Sequence, residues 1–274
     1  MKRRALSRGG LPSKAGRLAL ALACAAFGYA AYVYLTLPDV APLQAANPKT
    51  TAFMELRDRE AHDQGRPSRR EQRWVSYARI SPALKRAVLV AEDAAFWRHE
   101  GIDVDEIRKS LERDLERRQF SRGGSTITQQ LAKNLYLSPA KNPLRKLKEL
   151  LIARRLEAQL SKRRILELYL NVIEWGDGLY GAEAASRAYF GKPASALSPD
   201  EAALLAAAIV NPRVLDPQRP SARLLRRQRL ILSRMGAVTP PPDASPAAAA
   251  SPDALPAAPA EAPAGGDPRK APGG

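Results

Sequence analysis

The sequence predicts a mainly α-helical domain that lies outside a membrane, behind one N-terminal transmembrane helix. Between Ser81 and Met235, helix start and stop signals follow one another along the chain. In this region no segment longer than a few residues alternates apolar and polar residues with a period of two. The residues from Leu18 to Leu37 carry no charge, and as a helix of about 30 Å they are long enough to cross the hydrocarbon core of a bilayer.

The N-terminal charges set the predicted orientation of this helix. Residues 1–17 are rich in lysine and arginine and contain no acidic residue, and the positive-inside rule places such a segment in the cytoplasm. Residues 18–37 are then a membrane anchor. A cleaved signal peptide is the alternative, because small residues surround Cys24, although the apolar run exceeds the usual signal core of about 7 to 15 residues. Cys24 is the only cysteine, so the exported domain folds without an internal disulfide.

Composition divides the rest of the chain into three predicted segments. Residues 38–78 show no clear period and are expected to form a juxtamembrane stalk or jaw region. Residues 79–236 form the folded domain, and residues 237–274 form a Pro/Ala-rich tail that buries too little apolar surface to become ordered. The net charge of +16 suits anionic lipid headgroups or a phosphorylated lipid, whereas nucleic acid is scarce outside the membrane.

Each predicted helix begins at a residue that caps the first turn. The cap is a serine, an aspartate or an asparagine, often followed by a proline in the first turn or by a glutamate three residues later. These starts are Ser81–Pro82, Asp103 to Glu106, Asn142–Pro143, Ser161, and Ser198 to Glu201.

Two adjacent carboxylates, Glu92 and Asp93, end the first apolar helix of the domain. Desolvation and a neighbouring like charge raise the pKa of a carboxyl group, which suits one member of the pair to general acid–base catalysis near neutral pH. A capping and salt-bridging pair is the structural alternative. Because His62 and His99 are the only histidines, a histidine-rich metal site is excluded, and His99 is expected to be a hydrogen-bonded structural residue.

The stretch "RGGSTITQQLAKNLY" (122–136) begins a helix with an unusually polar face. Thr126 and Gln129 have the spacing of a capping box, and the preceding glycines leave backbone N–H groups unshielded, an arrangement that can bind phosphate. Thr126, Gln130 and Lys133 form a polar stripe beside a separate apolar one. The stripe predicts a binding face, with an ordinary amphipathic surface helix as the alternative.

Two further clusters are ambiguous by themselves. Arg145 and Glu149 stand four residues apart on a predicted helix, with Lys146 beside them, a pattern that also fits a solvated charged face. Three glycines and several aromatic residues within 175–190 indicate either the wall of a groove or a tightly packed corner.

Together, and in this order, the clusters resemble the motifs of the peptidoglycan glycosyltransferases of glycosyltransferase family 51, a domain also found at the front of bifunctional penicillin-binding proteins. The matching segments are "EDAAFWRH" (92–99), "GSTITQQLAKN" (124–134), "RKLKE" (145–149), "ILELYLN" (165–171) and "LSPDEAALLAAAIVNP" (197–212). Ile209–Val210 departs from the family's usual leucine–proline, outside the catalytic motifs. Because no transpeptidase-like segment follows Pro212, the resemblance is to monofunctional biosynthetic members of the family.

The resemblance implies an all-α, lysozyme-like domain with a membrane-associated jaw, which polymerises lipid II outside the cytoplasmic membrane. Glu92 would take the proton from the 4-hydroxyl of the acceptor sugar, which attacks the anomeric carbon of the growing chain with inversion and releases undecaprenyl pyrophosphate. Glu149 would be the second catalytic carboxylate, close to the phosphates or to a divalent cation, Mg²⁺ or Mn²⁺. No organic cofactor is implied.

The resemblance also implies substrate-binding residues in the first three motifs. Lys133 and Arg145 would offset charge on the departing pyrophosphate, and Ser125, Thr126 and Gln130 would line the phosphate and sugar subsites. The full set of implied binding positions is Asp93, Phe96, His99, Gly124, Ser125, Thr126, Gln129, Gln130, Lys133, Asn134, Arg145 and Lys146.

The implied partners are lipid II, the growing glycan chain and the membrane, with penicillin-binding proteins or other cell-wall synthesis proteins as protein partners and no nucleic acid. The implied location is the bacterial inner membrane, with the catalytic domain in the periplasm. A lysozyme-like hydrolase or lytic transglycosylase, and a non-catalytic membrane-anchored scaffold that binds peptidoglycan, are the alternatives. Neither explains the glycine-rich helix start together with Lys133, Arg145 and Glu149.

Overall fold

A computed structural model describes residues 14–108, 124–137 and 143–237 of the chain. Within these ranges the chain is mainly helical, as the sequence predicts. The α-helices are α1 (Lys14–Leu35), α2 (Ala52–Asp63), α3 (Pro82–Glu92), α4 (Ile127–Tyr136), α5 (Pro143–Gln159), α6 (Lys162–Val172), α7 (Ala182–Phe190), α8 (Pro199–Ala208) and α9 (Ala222–Arg234). The strands are β1 (Glu71–Gln72), β2 (Glu174–Gly176) and β3 (Leu179–Tyr180). Most of the basic N-terminal segment and the predicted tail from residue 238 onward lie outside the described residues.

Helix α1 contains the predicted membrane anchor. Its segment Gly16–Leu35 has a mean hydropathy of 1.8 and is long and apolar enough to cross a membrane. The rest of the domain covers little of it, since only 6% of its most apolar window is buried. A signal sequence near the N-terminus can meet the same criteria of length and hydropathy, so both alternatives from the sequence stand.

Residues 38–78, which the sequence sets apart as a stalk, contribute to the same core as the rest of the domain. Thr51 caps α2, and Met54 on that helix is fully buried. From the domain side, Arg155 on α5 donates to the backbone carbonyl of Leu37 at 3.2 Å. Only Met54 and Ala61 of this helix are buried, so its sequence carries no apolar stripe that would show a period.

The helices of the domain pack in two groups around a continuous core. Helix α8 packs against α3 and α9, and helix α4 packs against α2, α5 and α6. Glu92, the last residue of α3, lies where these groups meet, because a side-chain bond joins the end of α3 to the start of α4. The fold therefore brings the first two predicted motifs together.

The predicted helix caps at Ser81, Ser161 and Ser198 are confirmed. In each case the serine hydroxyl accepts a bond from the backbone N–H three residues later, at 3.0, 3.2 and 3.3 Å. Glu201 accepts a bond from the backbone N–H of Ser198 at 2.9 Å, which completes the predicted capping box.

Two other predicted helix starts lie at the edge of the described residues. The Asp103 carboxylate accepts a bond from Glu106 N–H at 2.8 Å, and residues 104–108 are helical. The remainder of that predicted helix lies outside the described residues. Helix α5 begins at Pro143, and its predicted cap Asn142 also lies outside them.

The sequence does not indicate the small sheet that the structure contains. Its strand order is β1–β3–β2, with β1 parallel and β2 antiparallel to β3. Each strand spans two or three residues, too few for an alternating pattern to be visible. The β2–β3 hairpin buries Trp175 and Tyr180, and the Tyr189 hydroxyl donates to the Trp175 carbonyl at 3.1 Å. Of the two alternatives from the sequence, the tightly packed corner is confirmed.

The β2–β3 turn generates a stability prediction at Gly178. This residue has φ +70°, and a Cβ added there would collide with the backbone carbonyl of Arg69. Gly191 has a similar φ of +68° but open space where the Cβ would lie. We expect Gly191→Ala to cost about 1 kcal/mol from backbone strain alone, and Gly178→Ala to cost at least about 2 kcal/mol more.

Thermal unfolding of the two variants in detergent measures this difference. A clearly lower Tm for Gly178→Ala than for Gly191→Ala is expected. Equal Tm values for the two variants would contradict the close packing of this turn.

Candidate active site

The Asp93 carboxylate joins the end of α3 to the start of α4. Asp93 leaves the helical conformation with φ −166°, so α3 ends at Glu92 and does not continue into the following apolar residues. One carboxylate oxygen of Asp93 accepts a bond from the backbone N–H of Ile127 at 2.9 Å, and His99 Nε2 lies 2.9 and 3.1 Å from the two oxygens. Asp93 is buried, and its visible role is to position the two helices.

His99 is oriented by hydrogen bonds with two neighbours. The backbone N–H of Gly101 donates to His99 Nδ1 at 3.2 Å, so Nδ1 is the acceptor nitrogen and Nε2 carries the proton that is donated to Asp93. The ring of Phe96 is fully buried and packs edge-on against Trp97 and His99. This confirms the expectation of a hydrogen-bonded structural histidine. The assignment of Asp93, Phe96 and His99 to substrate binding stays a prediction.

The start of α4 is occupied by side chains of the protein itself. Thr126 is the cap, since its hydroxyl oxygen accepts from Gln129 N–H at 3.2 Å and its hydroxyl donates to the Gly101 carbonyl at 2.7 Å. The Gln129 side chain donates to the same carbonyl at 3.2 Å and does not close the predicted capping box. The prediction that the amides here are open to phosphate is wrong for Ile127 and Gln129, because Asp93 and Thr126 accept their bonds.

The other predicted residues of this segment lie around that start. Gly124 has φ +153°, a conformation that favours glycine, with open space beside it. Asn134 donates from its side chain to the Gln130 backbone carbonyl at 2.8 Å. Ser125 and Thr126 line an open cleft of about 730 Å³ that also contains Glu92. The structure therefore brings the glycine-rich start of α4 and the first predicted carboxylate to one cavity.

Glu92 lies beside a neutral amide in that cleft. The Gln130 side-chain NH₂ donates to Glu92 Oε2 at 2.9 Å. Burial raises the pKa of Glu92, while the bond from Gln130 and the positive charges of Arg227 and Lys133 oppose the rise and Asp93 adds to it. A carboxylate with a raised pKa is suited to accept a proton near neutral pH.

Glu149 lies in a very different electrostatic environment. It is buried on α5, with one oxygen 3.1 Å from Arg145 NH1 and the other paired with Lys146 Nζ. Lys146 also donates to Ser125 Oγ at 3.3 Å and to Gln129 Oε1 at 3.1 Å. The Glu149 carboxylate therefore holds two cations in place, and Lys146 ties α5 to the start of α4.

Lys133 completes this cationic group from α4. Its side chain reaches solvent, yet protein atoms surround much of it, and this partial burial lowers the pKa of Lys133. Arg145 and Lys146 add to the lowering, whereas Glu149 and Glu92 oppose it. The negative charges of Glu92 and Glu149 therefore both act on Lys133, which links the surroundings of the two carboxylates.

The described residues do not fit a resident divalent cation. Ligand atoms of Asp93, His99 and Asp103 lie within 4.8 Å of one another. However, His99 uses both ring nitrogens in hydrogen bonds, and Asp103 caps the helix at residue 104. Glu149 is already covered by cationic side chains. The predicted Mg²⁺ or Mn²⁺ stays a prediction.

Two residues near Glu92 are absent from the sequence-predicted set. Tyr169 on α6 donates its hydroxyl to Gln130 Oε1 at 2.9 Å. Arg227 on α9 donates to the Ala207 carbonyl on α8 at 3.2 Å and places its charge near Glu92. Tyr169 lies inside the segment "ILELYLN" on a buried face, and Arg227 is one of many arginines on an amphipathic helix, so no local pattern distinguishes either residue.

The fold and site define a class of enzyme. A mainly helical domain carries one desolvated carboxylate beside a neutral donor. It also carries a second carboxylate that is paired with two cations, with Lys133 as a further cation nearby. The first suits proton transfer from a sugar hydroxyl, and the cations suit a phosphorylated leaving group. This combination defines a glycosyltransferase that uses a phosphate-linked sugar donor.

Comparison with known proteins identifies the family. Residues 58–236 match the family described as Transglycosylase. The chain belongs to this family and is a peptidoglycan glycosyltransferase of cell-wall synthesis, which confirms the family predicted from the motifs. The match begins within α2, consistent with the packing of that helix into the domain.

Curated relatives cover most of the domain. The chain is 53% identical over 189 residues to the biosynthetic peptidoglycan transglycosylase of Nitrosomonas eutropha, covering 69% of this chain and 78% of the relative. It is 50% identical over 195 residues to that of Laribacter hongkongensis, covering 71% and 86%. For the protein of Nitrosospira multiformis the identity is 49% over 195 residues, covering 71% and 85%.

The charge near Glu92 generates a pH prediction. Arg227→Gln removes a positive charge that opposes the raised pKa of Glu92, so the charged carboxylate becomes less stable and its pKa rises further. We expect the acid limb of kcat/KM for glycan polymerisation to move to higher pH by about half a unit.

Arg226→Gln is the matched control, because Arg226 is exposed on the same helix and the substitution changes the charge equally. An unshifted profile for Arg227→Gln, or an equal shift for both variants, would show that Arg227 does not act on Glu92.

Proposed function

We propose that this enzyme polymerises lipid II into glycan strands, with Glu92 as the general base. Glu92 takes the proton from the 4-hydroxyl of the acceptor sugar as the oxygen attacks the anomeric carbon of the lipid-linked donor. The new O4–C1 bond forms on the face opposite to the breaking C1–O bond. The product is a β-1,4 link with inversion, undecaprenyl pyrophosphate leaves, and the proton passes from Glu92 to solvent.

The environment of Glu92 is the observation that supports this assignment. Its hydrogen bond within the cleft comes from the neutral amide of Gln130, and burial raises its pKa. A carboxylate in a tight ion pair would have a lowered pKa and would be a poor base at neutral pH. Glu149, in contrast, is already paired with Arg145 and Lys146.

We assign the cationic group to the leaving pyrophosphate. Pyrophosphate is already a good leaving group, so it needs charge stabilisation more than a proton. Lys133 and Arg145 supply that charge, and Glu149 keeps the cations in position before the substrate arrives. Lys146 links this group to Ser125 and Gln129, so the start of α4 and the cations act as one binding surface.

The cationic group also argues against the hydrolytic alternative. A lysozyme-like hydrolase or a lytic transglycosylase cleaves sugar–sugar bonds and has no pyrophosphate to stabilise. A non-catalytic scaffold would not need a carboxylate with a raised pKa in its cleft. Lys133, Arg145 and Glu92 together therefore favour synthesis over both.

We further propose that α1 is an uncleaved anchor in the bacterial inner membrane and that the domain faces the periplasm. A polyprenyl-linked substrate diffuses in the plane of the membrane, and tethering restricts the enzyme's search to that plane. The bond from Arg155 to the carbonyl of Leu37, together with the guanidinium of Arg155 over the Tyr34 ring at 5.3 Å, supports a close connection of anchor and domain. Penicillin-binding proteins and other cell-wall synthesis proteins remain predicted partners.

Removal of the base tests the proposed mechanism. Glu92→Gln keeps the shape and polarity of the side chain but cannot accept the proton, so polymerisation of labelled lipid II should fall by about a hundredfold or more. Glu100→Gln is the matched control, because Glu100 is an exposed glutamate close by in the chain. Full activity of Glu92→Gln, or no polymer from folded wild-type enzyme, would overturn the proposal.

Removal of a cation tests the pyrophosphate assignment. Lys133→Ala should lower kcat for lipid II polymerisation by about tenfold to a hundredfold while changing Tm little, because the lysine acts on the departing group. Lys49→Ala, at an exposed loop position, should change neither quantity. A fall in Tm that accounts for the lost activity of Lys133→Ala would make Lys133 a structural residue.

A further inference from the structure

Gln130 lies between two groups that together specify the direction of its amide. Its NH₂ group donates to Glu92 Oε2 at 2.9 Å, and its carbonyl oxygen accepts from the Tyr169 hydroxyl at 2.9 Å. A carboxamide has one donor end and one acceptor end. Reversal of the amide would lose the bond to Glu92 and the observed bond from Tyr169 to the carbonyl oxygen, and it would turn that oxygen toward the carboxylate.

Tyr169 contacts Gln130 from the interior of the domain. It lies on α6 and is fully buried, so it has no access to a substrate. Burial raises the pKa of Tyr169 well above its ordinary value, and the carboxylates of Glu92 and Asp93 add to the rise. The hydroxyl therefore stays protonated and keeps a proton to donate to the carbonyl oxygen of Gln130.

We propose that Tyr169 is a positioning residue for glycan polymerisation, whose hydroxyl holds the Gln130 amide so that its NH₂ group faces the catalytic carboxylate. The proposal rests on the proposed function, because it assumes that Glu92 is the general base. An oriented donor stabilises the negative form of Glu92, which is the form that accepts the proton from the acceptor hydroxyl. Without that orientation the buried carboxylate is protonated over a wider pH range.

The charges that face Glu92 come from three elements. Asp93 follows it in the chain, Lys133 reaches it from α4, and Arg227 reaches it from α9. Replacement of Tyr169 by phenylalanine changes none of these charges and removes one oxygen atom. A change in the titration of Glu92 would therefore report on the amide alone.

The pH profile of Tyr169→Phe tests the proposal in the full-length enzyme with labelled lipid II. We expect the acid limb of kcat/KM to move upward by about half a unit to one unit, with a loss of about threefold to tenfold at neutral pH. At high pH, where Glu92 is deprotonated in both enzymes, the rates should converge. An unshifted acid limb would overturn the proposal, whether or not Tm falls.

Tyr180→Phe is the matched control for loss of a buried hydroxyl. Tyr180 is as deeply buried as Tyr169, but its hydroxyl has no hydrogen-bond partner among the described residues. Its phenylalanine variant should keep the wild-type pH profile. An equal shift in Tyr180→Phe would mean that the shift is a general packing effect and would overturn the positioning role.

Two further variants separate this proposal from the mechanism on which it rests. If Glu92→Gln retains full activity, the assignment of Glu92 as the general base is wrong, and so is the positioning role of Tyr169. If Glu92→Gln is inactive but Tyr169→Phe has a wild-type profile, only the positioning role is wrong.

A double variant tests whether Tyr169 acts through Gln130. In a Gln130→Ala background, Tyr169→Phe should change residual kcat/KM by less than about twofold, because the amide through which Tyr169 acts is gone. A further loss as large as in the wild-type background would contradict the positioning role.

Discussion

The bond from the Ile127 backbone N–H to the Asp93 carboxylate is the constraint on which the site depends. It ends α3 immediately after Glu92 and places the first turn of α4 against that end, 34 residues later in the chain. His99 donates to the same carboxylate and fixes its direction. Because the group is buried, its loss would leave an N–H and an imidazole without their acceptor, at a cost of about 1 to 3 kcal/mol for each. Glu92 and Gln130 meet as a result of this link.

Helix α4 also connects two carboxylates that have different hydrogen-bond partners. Glu92 lies at the junction of the helix groups, where a neutral amide is its hydrogen-bond donor and burial dominates its pKa. Glu149 lies on α5 and is paired with two cations. In the proposed mechanism, proton transfer and charge stabilisation therefore take place at separate carboxylates of the helical domain.

Local sequence patterns predict a large part of this structure. The caps at Ser81, Ser161 and Ser198 are readable because a helix start is specified within four residues. The motifs place Glu92, Lys133, Arg145 and Glu149 in one site because their residue types match a known family in order.

The contacts that organise the site are not visible in this way. Tyr169 and Gln130 are 39 residues apart in the chain, and Arg227 approaches Glu92 from α9. Contacts between such distant residues produce no periodic pattern in the sequence. The small sheet is missed because its strands are too short to alternate, and α2 is missed because it buries only two residues, Met54 and Ala61. The sequence also predicted open amides at the start of α4; the occupied amide of Ile127 depends on Asp93, which only the fold brings there.

The ionisation of Glu92 is the most direct test of this account. Full-length enzyme labelled with ¹³C at glutamate carboxyl groups can be titrated by NMR in detergent, with Glu92→Gln used to assign the Glu92 resonance. We expect this resonance to titrate above the ordinary glutamate range, which centres on a pKa of about 4.3. A Glu92 resonance that titrates within or below the ordinary range would contradict the assignment of this residue as a desolvated general base.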